Sequence, residues 1–356
     1  MPTMRAVVYK AAGRTPKVRE VDRPEPPPGG VVIKVAATGV CRSDWHAWQG
    51  HEPVPLPHIP GHEFAGTVAA VGPKVKLAKV GDRVTAPFVC GCGRCDLCRR
   101  GDAQVCPQQT QPGFTHAGSF AEYVVVHAAD TNLVPLPKGV PMTAAAALGC
   151  RFATAYRALV GHGRIEAGQT VAVFGCGGVG LSAVMIATAL KARVIAVDVS
   201  ARALDAAADL GAAETVRADA SDPAAVIHDL TDSGAHLSID AIGSPAIVAA
   251  AVRSLRRRGR HVQVGLLLGD DALTAVPMDR VISHELEIFG SHGMPAIDYP
   301  PMLELIARRK LQPDRLIGRT ITLDEAPAAL AEMSRPKPPA GLTVIDFARD
   351  GSDPAR

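Results

Sequence analysis

No apolar run in the 356 residues approaches the ~20 needed to cross a bilayer as a helix, so no membrane span is expected. A strong charge of either sign is also missing. The 38 Lys and Arg against 35 Asp and Glu leave a net charge of only +3. So small an excess argues against a nucleic-acid or membrane-surface partner. The one local basic run, Arg256-Arg257-Arg258-Gly259-Arg260, reads as a solvated helix end before the strand-like Val262-Gln263-Val264. There is no basic-then-apolar leader. Met1-Pro2-Thr3-Met4-Arg5 runs straight into Ala6-Val7-Val8-Tyr9, so a cytoplasmic protein is expected. Aromatics are scarce. Trp45, Trp48, Phe88 and Phe114 therefore stand out as either core or pocket. Internal repeats and low-complexity blocks are lacking too. The eight cysteines do not form a disulfide pattern: five fall between Cys90 and Cys106, which points to metal in a reducing compartment.

The length predicts two domains. Residues 1 to about 150 read as mostly β, with strands at Val31–Ala36 and Phe120–Val126 and a proline-rich loop from Gly50 to Pro60. His51 and His58 in that loop read as rim residues rather than metal ligands. Pro141-Met142-Thr143 starts a helix. From Gln169, short apolar strands alternate with Ala/Leu-rich helices: Thr170–Gly175, Leu181–Leu190, Arg193–Asp198, Ala201–Leu210. Later strands are expected at His236–Ala241, Arg260–Gly265 and Leu286–Gly290. Such alternation means an α/β doubly wound parallel sheet. A further helix near Tyr299–Lys310 and a strand at Leu342–Ile345 follow, and Ala348–Arg356 reads as a frayed polar tail.

Three constellations carry chemistry. Cys41 and His62 offer one sulfur and one imidazole, a pairing that suits zinc. On those residues alone, a buried thiol and an ordinary histidine are equally consistent. Cys150 is available to complete a set of two cysteines and one histidine, and Glu63 could be a further ligand or an outer carboxylate. A three-residue set leaves one position open, the mark of a catalytic metal. Cys92, Cys95, Cys98 and Cys106 form a closed four-sulfur set in a lobe spanning about 90–106, a structural zinc site, with Cys90 outside it. The lobe carries too few basic residues for a nucleic-acid finger.

The third is Gly175-Cys176-Gly177-Gly178-Val179-Gly180, which follows a strand and opens a helix. Such a turn lets a pyrophosphate sit at the positive helix end. Asp198 ends the next strand, 23 residues on, placed to accept from ribose hydroxyls and to repel a 2′-phosphate. NAD is thus expected over NADP, with Arg202 the one nearby cation. Ile242, Val264 and Gly265 end later strands and are expected to line the nicotinamide half of the sheet's carboxyl edge.

Taken in order, Cys41-Arg42-Ser43-Asp44-x-His46, Gly61-His62-Glu63-x-x-Gly66-x5-Gly72, the four-cysteine lobe and the glycine turn with Asp198 resemble the zinc-dependent medium-chain alcohol dehydrogenases, over nearly the whole chain. The resemblance implies a GroES-like catalytic domain (1–152 and 292–356) and an inserted Rossmann domain (153–291). It implies two zinc ions, NAD, and a small alcohol or aldehyde substrate. By motif position it makes Cys41, His62 and Cys150 catalytic zinc ligands and Glu63 an occasional extra one. Ser43 and His46 match a proton relay, Asp44 an outer carboxylate and Arg42 a pyrophosphate contact. It also implies a homo-oligomer. The chain lacks the longer insert of dimeric members, and Gly341-Leu342-Thr343-Val344 has no arginine, so a tetramer is expected ahead of a dimer. The alternatives are a polyol dehydrogenase, a zinc-free quinone reductase, or a non-catalytic dinucleotide-binding relative.

Overall fold

The computed structural model describes residues 2–335 and 341–350. The chain divides into two compact units, Met1–Ala153 with Gly293–Arg356, and Thr154–His292.

The second unit is built on a six-stranded parallel sheet. Its strands are β1 (Thr170–Phe174), β2 (Arg193–Asp198), β3 (Glu214–Arg217), β4 (Ala235–Asp240), β5 (Leu255–Gln263) and β6 (Glu287–Gly290). Their spatial order is β3-β2-β1-β4-β5-β6. All residues of β1 are buried, which is why they read as one apolar run. The order reverses between β1 and β4, so the chain leaves those two neighbouring strands in opposite senses and opens a crevice at their carboxyl ends. The basic run departs from expectation. Residues 256–260 are not a helix end but part of β5, where the register with β4 shifts between Leu255 and Arg260. The preceding helix has already ended at Arg253. Arg258 takes φ +61 in this irregular stretch. The charged side chains are tolerated there because each finds a local partner, such as Glu285 for Arg258 and the Gly163 carbonyl for Arg260.

The first unit is mostly β. The strand Val31–Val40 pairs with Glu63–Val71, Tyr123–Val126 and Leu342–Asp346 in a seven-stranded sheet. The last of these strands comes from the far end of the chain, so both ends build one unit. Phe64, Phe120, Ile33, Val68 and Val126 fill its core with Trp48. The helix announced by Pro141 runs only from Met142 to Ala146. A wider π turn, Leu148–Phe152, then carries Cys150. The end of the chain also departs from expectation. Phe347–Asp350 is a 3-10 helix rather than frayed chain, and Arg349 there donates to Thr320 Oγ1 at 2.7 Å. The rest of the expected tail, 351–356, lies outside the described residues.

Candidate functional site

Strand pairing assembles the first site. Gly39 lies opposite Glu63 in the antiparallel pair, so Cys41, just past the end of the strand Val31–Val40, and His62, just before the strand Glu63–Val71, come close together. Cys41 caps the helix Arg42–Gln49. Asp44, in that helix's first turn and fully buried, braces the group: its Oδ2 accepts from Cys41 N (2.9 Å), and its Oδ1 accepts from Gly61 N (2.9 Å) and His62 Nδ1 (2.9 Å). With Nδ1 donating to the carboxylate, the lone pair of His62 falls on Nε2, which is buried and has no hydrogen-bond partner. The π turn delivers Cys150. The ligand atoms of Cys41, His62 and Cys150 all lie within 4.8 Å of one another. The Cys41 thiol is held well below its usual value, first by a hydrogen bond from Cys150 and, against burial, by the charge of Arg151. Two sulfurs and an orphaned imidazole nitrogen fit a zinc ion with one position open.

Glu63 is placed differently from a metal ligand. It is fully buried, and its carboxylate accepts from Arg151 N (2.8 Å), Nε (3.0 Å) and Nη2. Burying a carboxylate needs such a partner, and the arginine takes both oxygens. Arg151 is a site residue that sequence reading missed. Its neighbour Cys150 drew attention, but its partner lies 88 positions away. Ser43 Oγ is 3.9 Å from Cys41 Sγ. His46, on the same helix, meets His51. Arg42, expected at a pyrophosphate, donates to the Met333 carbonyl and lies over the Trp45 ring at 4.6 Å. Of the four prominent aromatics, Phe88 and Phe114 have ring centroids 6.0 and 5.2 Å from that of His62. Trp48 is core.

The four-cysteine lobe forms the second metal-competent group among the described residues, with its sulfurs also within 4.8 Å of one another. Backbone N–H groups of Cys92 and Gln108 point at Cys106 Sγ (3.4 and 3.3 Å), and Cys98 N points at Cys95 Sγ (3.5 Å). Such donors stabilise thiolates, the metal-binding form. Cys90 stays outside, buried, its thiol donating to the Pro87 carbonyl and pushed up to about 12 by burial.

In the second unit, β1 ends at Phe174 and the helix Gly178–Ala189 begins after the turn. A Cβ on Gly180 would fall 1.7 Å from the Gly175 carbonyl oxygen, so helix and turn pack closer than any side chain allows. At Gly177 nothing lies within 4 Å of the corresponding point, which leaves room for a pyrophosphate at the helix end. Asp198 accepts from Cys176 N (2.7 Å) and Ser200 N (2.8 Å), and Arg202 is exposed on the next helix. The buried Asp240 carboxylate accepts from Ile242 N (2.7 Å) and Gly243 N (2.9 Å). Its backbone carbonyl accepts from Val264 N (3.0 Å) and Gly265 N (2.8 Å). Gln263 bridges Asp240 Oδ2 (2.9 Å) and the Gly265 carbonyl (2.7 Å). One buried carboxylate thus ties the ends of β4 and β5 together. From the sequence Gln263 reads only as part of a strand, and nothing local signals that its amide meets Asp240, 23 positions away.

Comparison with known proteins gives a consistent picture. The profile of the alcohol dehydrogenase GroES-like domain matches residues 27–138, and that of zinc-binding dehydrogenase matches residues 178–308. An alcohol dehydrogenase of Geobacillus stearothermophilus is 33% identical over 337 residues, 94% of this chain and 96% of its own. A sorbitol dehydrogenase of Halalkalibacterium halodurans is 32% identical over 310 residues, 85% and 89% of the two chains. The solved structure of alcohol dehydrogenase TADH from Thermus sp. ATN1 superposes with a TM-score of 0.90 at 31% identity, covering 96% of this chain and 99% of that one.

Proposed function

Since the chain belongs to the zinc-type medium-chain alcohol dehydrogenase family, oxidoreductases acting on CH–OH groups, we propose that it interconverts an alcohol and its aldehyde or ketone with NAD and a catalytic zinc. The observation that carries this reading is the Cys41–His62–Cys150 set, with Cys41 and His62 buried and His62 Nε2 unpartnered. Two cysteines and one histidine are the known zinc ligand set of alcohol dehydrogenases. When bound, zinc would supply Lewis acidity at the substrate oxygen and a nicotinamide cofactor a hydride acceptor. Cys41, His62 and Cys150 would hold the metal, and Asp44 fixes the His62 tautomer and ring. Arg151 keeps the Glu63 carboxylate occupied beside them. Ser43 Oγ accepts the alcohol proton while giving up its own hydroxyl proton, and His46 takes the released proton outward. Cys92, Cys95, Cys98 and Cys106, whose sulfurs cluster within 4.8 Å of one another, would hold a second, closed zinc.

Gly175 to Gly180 bind the pyrophosphate, and Asp198 favours NAD over NADP through its charge. The edge of Ile242, Val264 and Gly265 receives the nicotinamide. Phe88 and Phe114 beside His62 support a medium-sized, apolar-bodied alcohol. Residues 1–152 and 292–356 are assigned the metal chemistry and 153–291 the dinucleotide. All eight cysteines are free, in keeping with a reducing cytoplasm, and no helix among the described residues is long and apolar enough to cross a membrane. Light scattering tests the expected tetramer.

The deciding experiment follows reduced-cofactor absorbance with benzyl alcohol, hexanol, ethanol and sorbitol, each with NAD and NADP. Benzyl alcohol and hexanol with NAD are expected to give the highest kcat/KM. A preference for sorbitol would favour the polyol class represented by the sorbitol dehydrogenase relative. Turnover undiminished after both metals are chelated would end the zinc reading.

A further inference from the structure

We infer that His51 is the outer end of the proton path, taking the proton from His46 and releasing it to water. This rests on the relay reading of Ser43 and His46 given above.

The geometry starts from a helix end. The helix Arg42–Gln49 is stopped by Gly50 in the left-handed conformation, φ +83. Gly50 N donates to the Ala47 carbonyl (3.1 Å) and His51 N to the His46 carbonyl (2.9 Å). This pair of bonds is the Schellman closure, which folds the residue after the glycine back over the helix residue five positions earlier. Usually two apolar side chains meet there. Here two imidazoles do, with His46 Nδ1 and His51 Nδ1 3.0 Å apart. At that distance one nitrogen must carry the proton and the other the lone pair. Trp45 holds both rings edge-on, with centroids 5.0 and 5.4 Å away, and is itself tied to Ser334 Oγ by its indole N–H (2.7 Å).

The two rings differ in surroundings. His51 is exposed, whereas His46 is half-buried. Burial disfavours a charge on His46, and the charges of His51 and Arg42 act in the same sense against a weaker opposing pull from Cys41. A proton arriving at His46 is therefore poorly kept there and has an acceptor in contact. The transfer balances. A proton binds His46 Nε2, the Nδ1 proton of His46 passes to the Nδ1 lone pair of His51, and His51 gives its Nε2 proton to water. Exchange with solvent restores the starting tautomers. From the sequence His51 reads as a rim residue, because its distance from His46 depends on the glycine closure.

The test compares His51→Gln, His46→Gln and the double variant in the zinc- and NAD-loaded enzyme. Glutamine keeps the backbone bond and a side chain of similar reach. Alcohol oxidation by His51→Gln is expected to fall about threefold below about pH 7, where external base is scarce, with the deficit shrinking as pH rises. Added imidazole should restore most of it. The double variant should be no slower than His46→Gln within about twofold, because both act on one path. Independently, ring nitrogen resonances of the loaded protein should show His46 titrating at higher pH in His51→Gln than in the wild type. A wild-type enzyme that oxidises no alcohol would end the underlying reading of function. The inference about His51 is overturned if the wild type is active while His51→Gln keeps its pH profile, if the two single losses multiply in the double variant, or if the His46 midpoint does not move.

Discussion

Asp198 accepts two backbone N–H groups, one from Cys176 inside the glycine turn and one from Ser200 at the next helix start. It therefore braces the turn in addition to the ribose contact proposed for it, since a carboxylate has acceptor sites to spare. The two roles separate by substitution. Asp198→Asn keeps an oxygen for the turn but removes the charge. The ratio of kcat/KM for NADP over NAD is expected to rise about tenfold or more, because a like-charge contact with the 2′-phosphate is removed. Asp198→Gly should raise the same ratio and also lower the melting temperature. An unmoved ratio in both would leave Asp198 with only the turn. At this scale, sequence reading found the groups with distinctive chemistry, the thiols and His62. It missed Arg151, because nothing local to Cys150-Arg151 reveals that Glu63 is buried and needs two donors.

Among elements, the helix Arg42–Gln49 is the one on which most depends. Its cap Cys41, first-turn Asp44 and last-turn His46 all face functional partners, and Gly50 fixes where the chain goes next. Gly50→Ala would force an alanine to φ +83, and its Cβ would sit 3.1 Å from that of Ala12. A stability loss of about 1–2 kcal/mol is expected from the left-handed conformation. Denaturant unfolding measures it. If His51 acts through the closure, the same variant should slow oxidation more at pH 6 than at pH 8. A uniform loss at both would assign Gly50 a purely structural role. The sequence does not announce this helix: Cys41 to His46 read only as ligand and relay residues. It announced the π turn of Cys150 not at all, since an alanine run after Pro141 reads as ordinary helix. The basic run misled for a related reason: residues 256–260 have helix-end composition, but pairing with β4 and β6 draws them into a strand.

For the whole molecule, the central quantity is the metal count. Two ligand sets, three and four residues strong, lie in the same unit. Protein purified without chelator should contain two zinc ions per chain. Cys95→Ser should reduce the count to one and lower the melting temperature by at least about 5 °C, because a structural zinc contributes its binding free energy to folding. A count of one that survives Cys95→Ser would remove the lobe's metal. The same unit draws on both chain ends, with Leu342–Asp346 paired to Val31–Val40. Truncation before Leu342 should therefore damage the metal site's unit.

What the sequence determined by itself is whatever local spacing and residue chemistry encode. The four-cysteine spacing, the strand–glycine turn–helix with its acidic residue, and the alternation of apolar strands with helices each need only neighbours along the chain. Tertiary structure alone decided which distant groups meet. The partner of Glu63, the convergence of Cys150 on Cys41 and His62, the bridge from Gln263 to Asp240 and the meeting of His46 with His51 all arise from strand register, a π turn or a left-handed glycine. Each is set by how backbones pair and close, and no single segment of sequence carries that information.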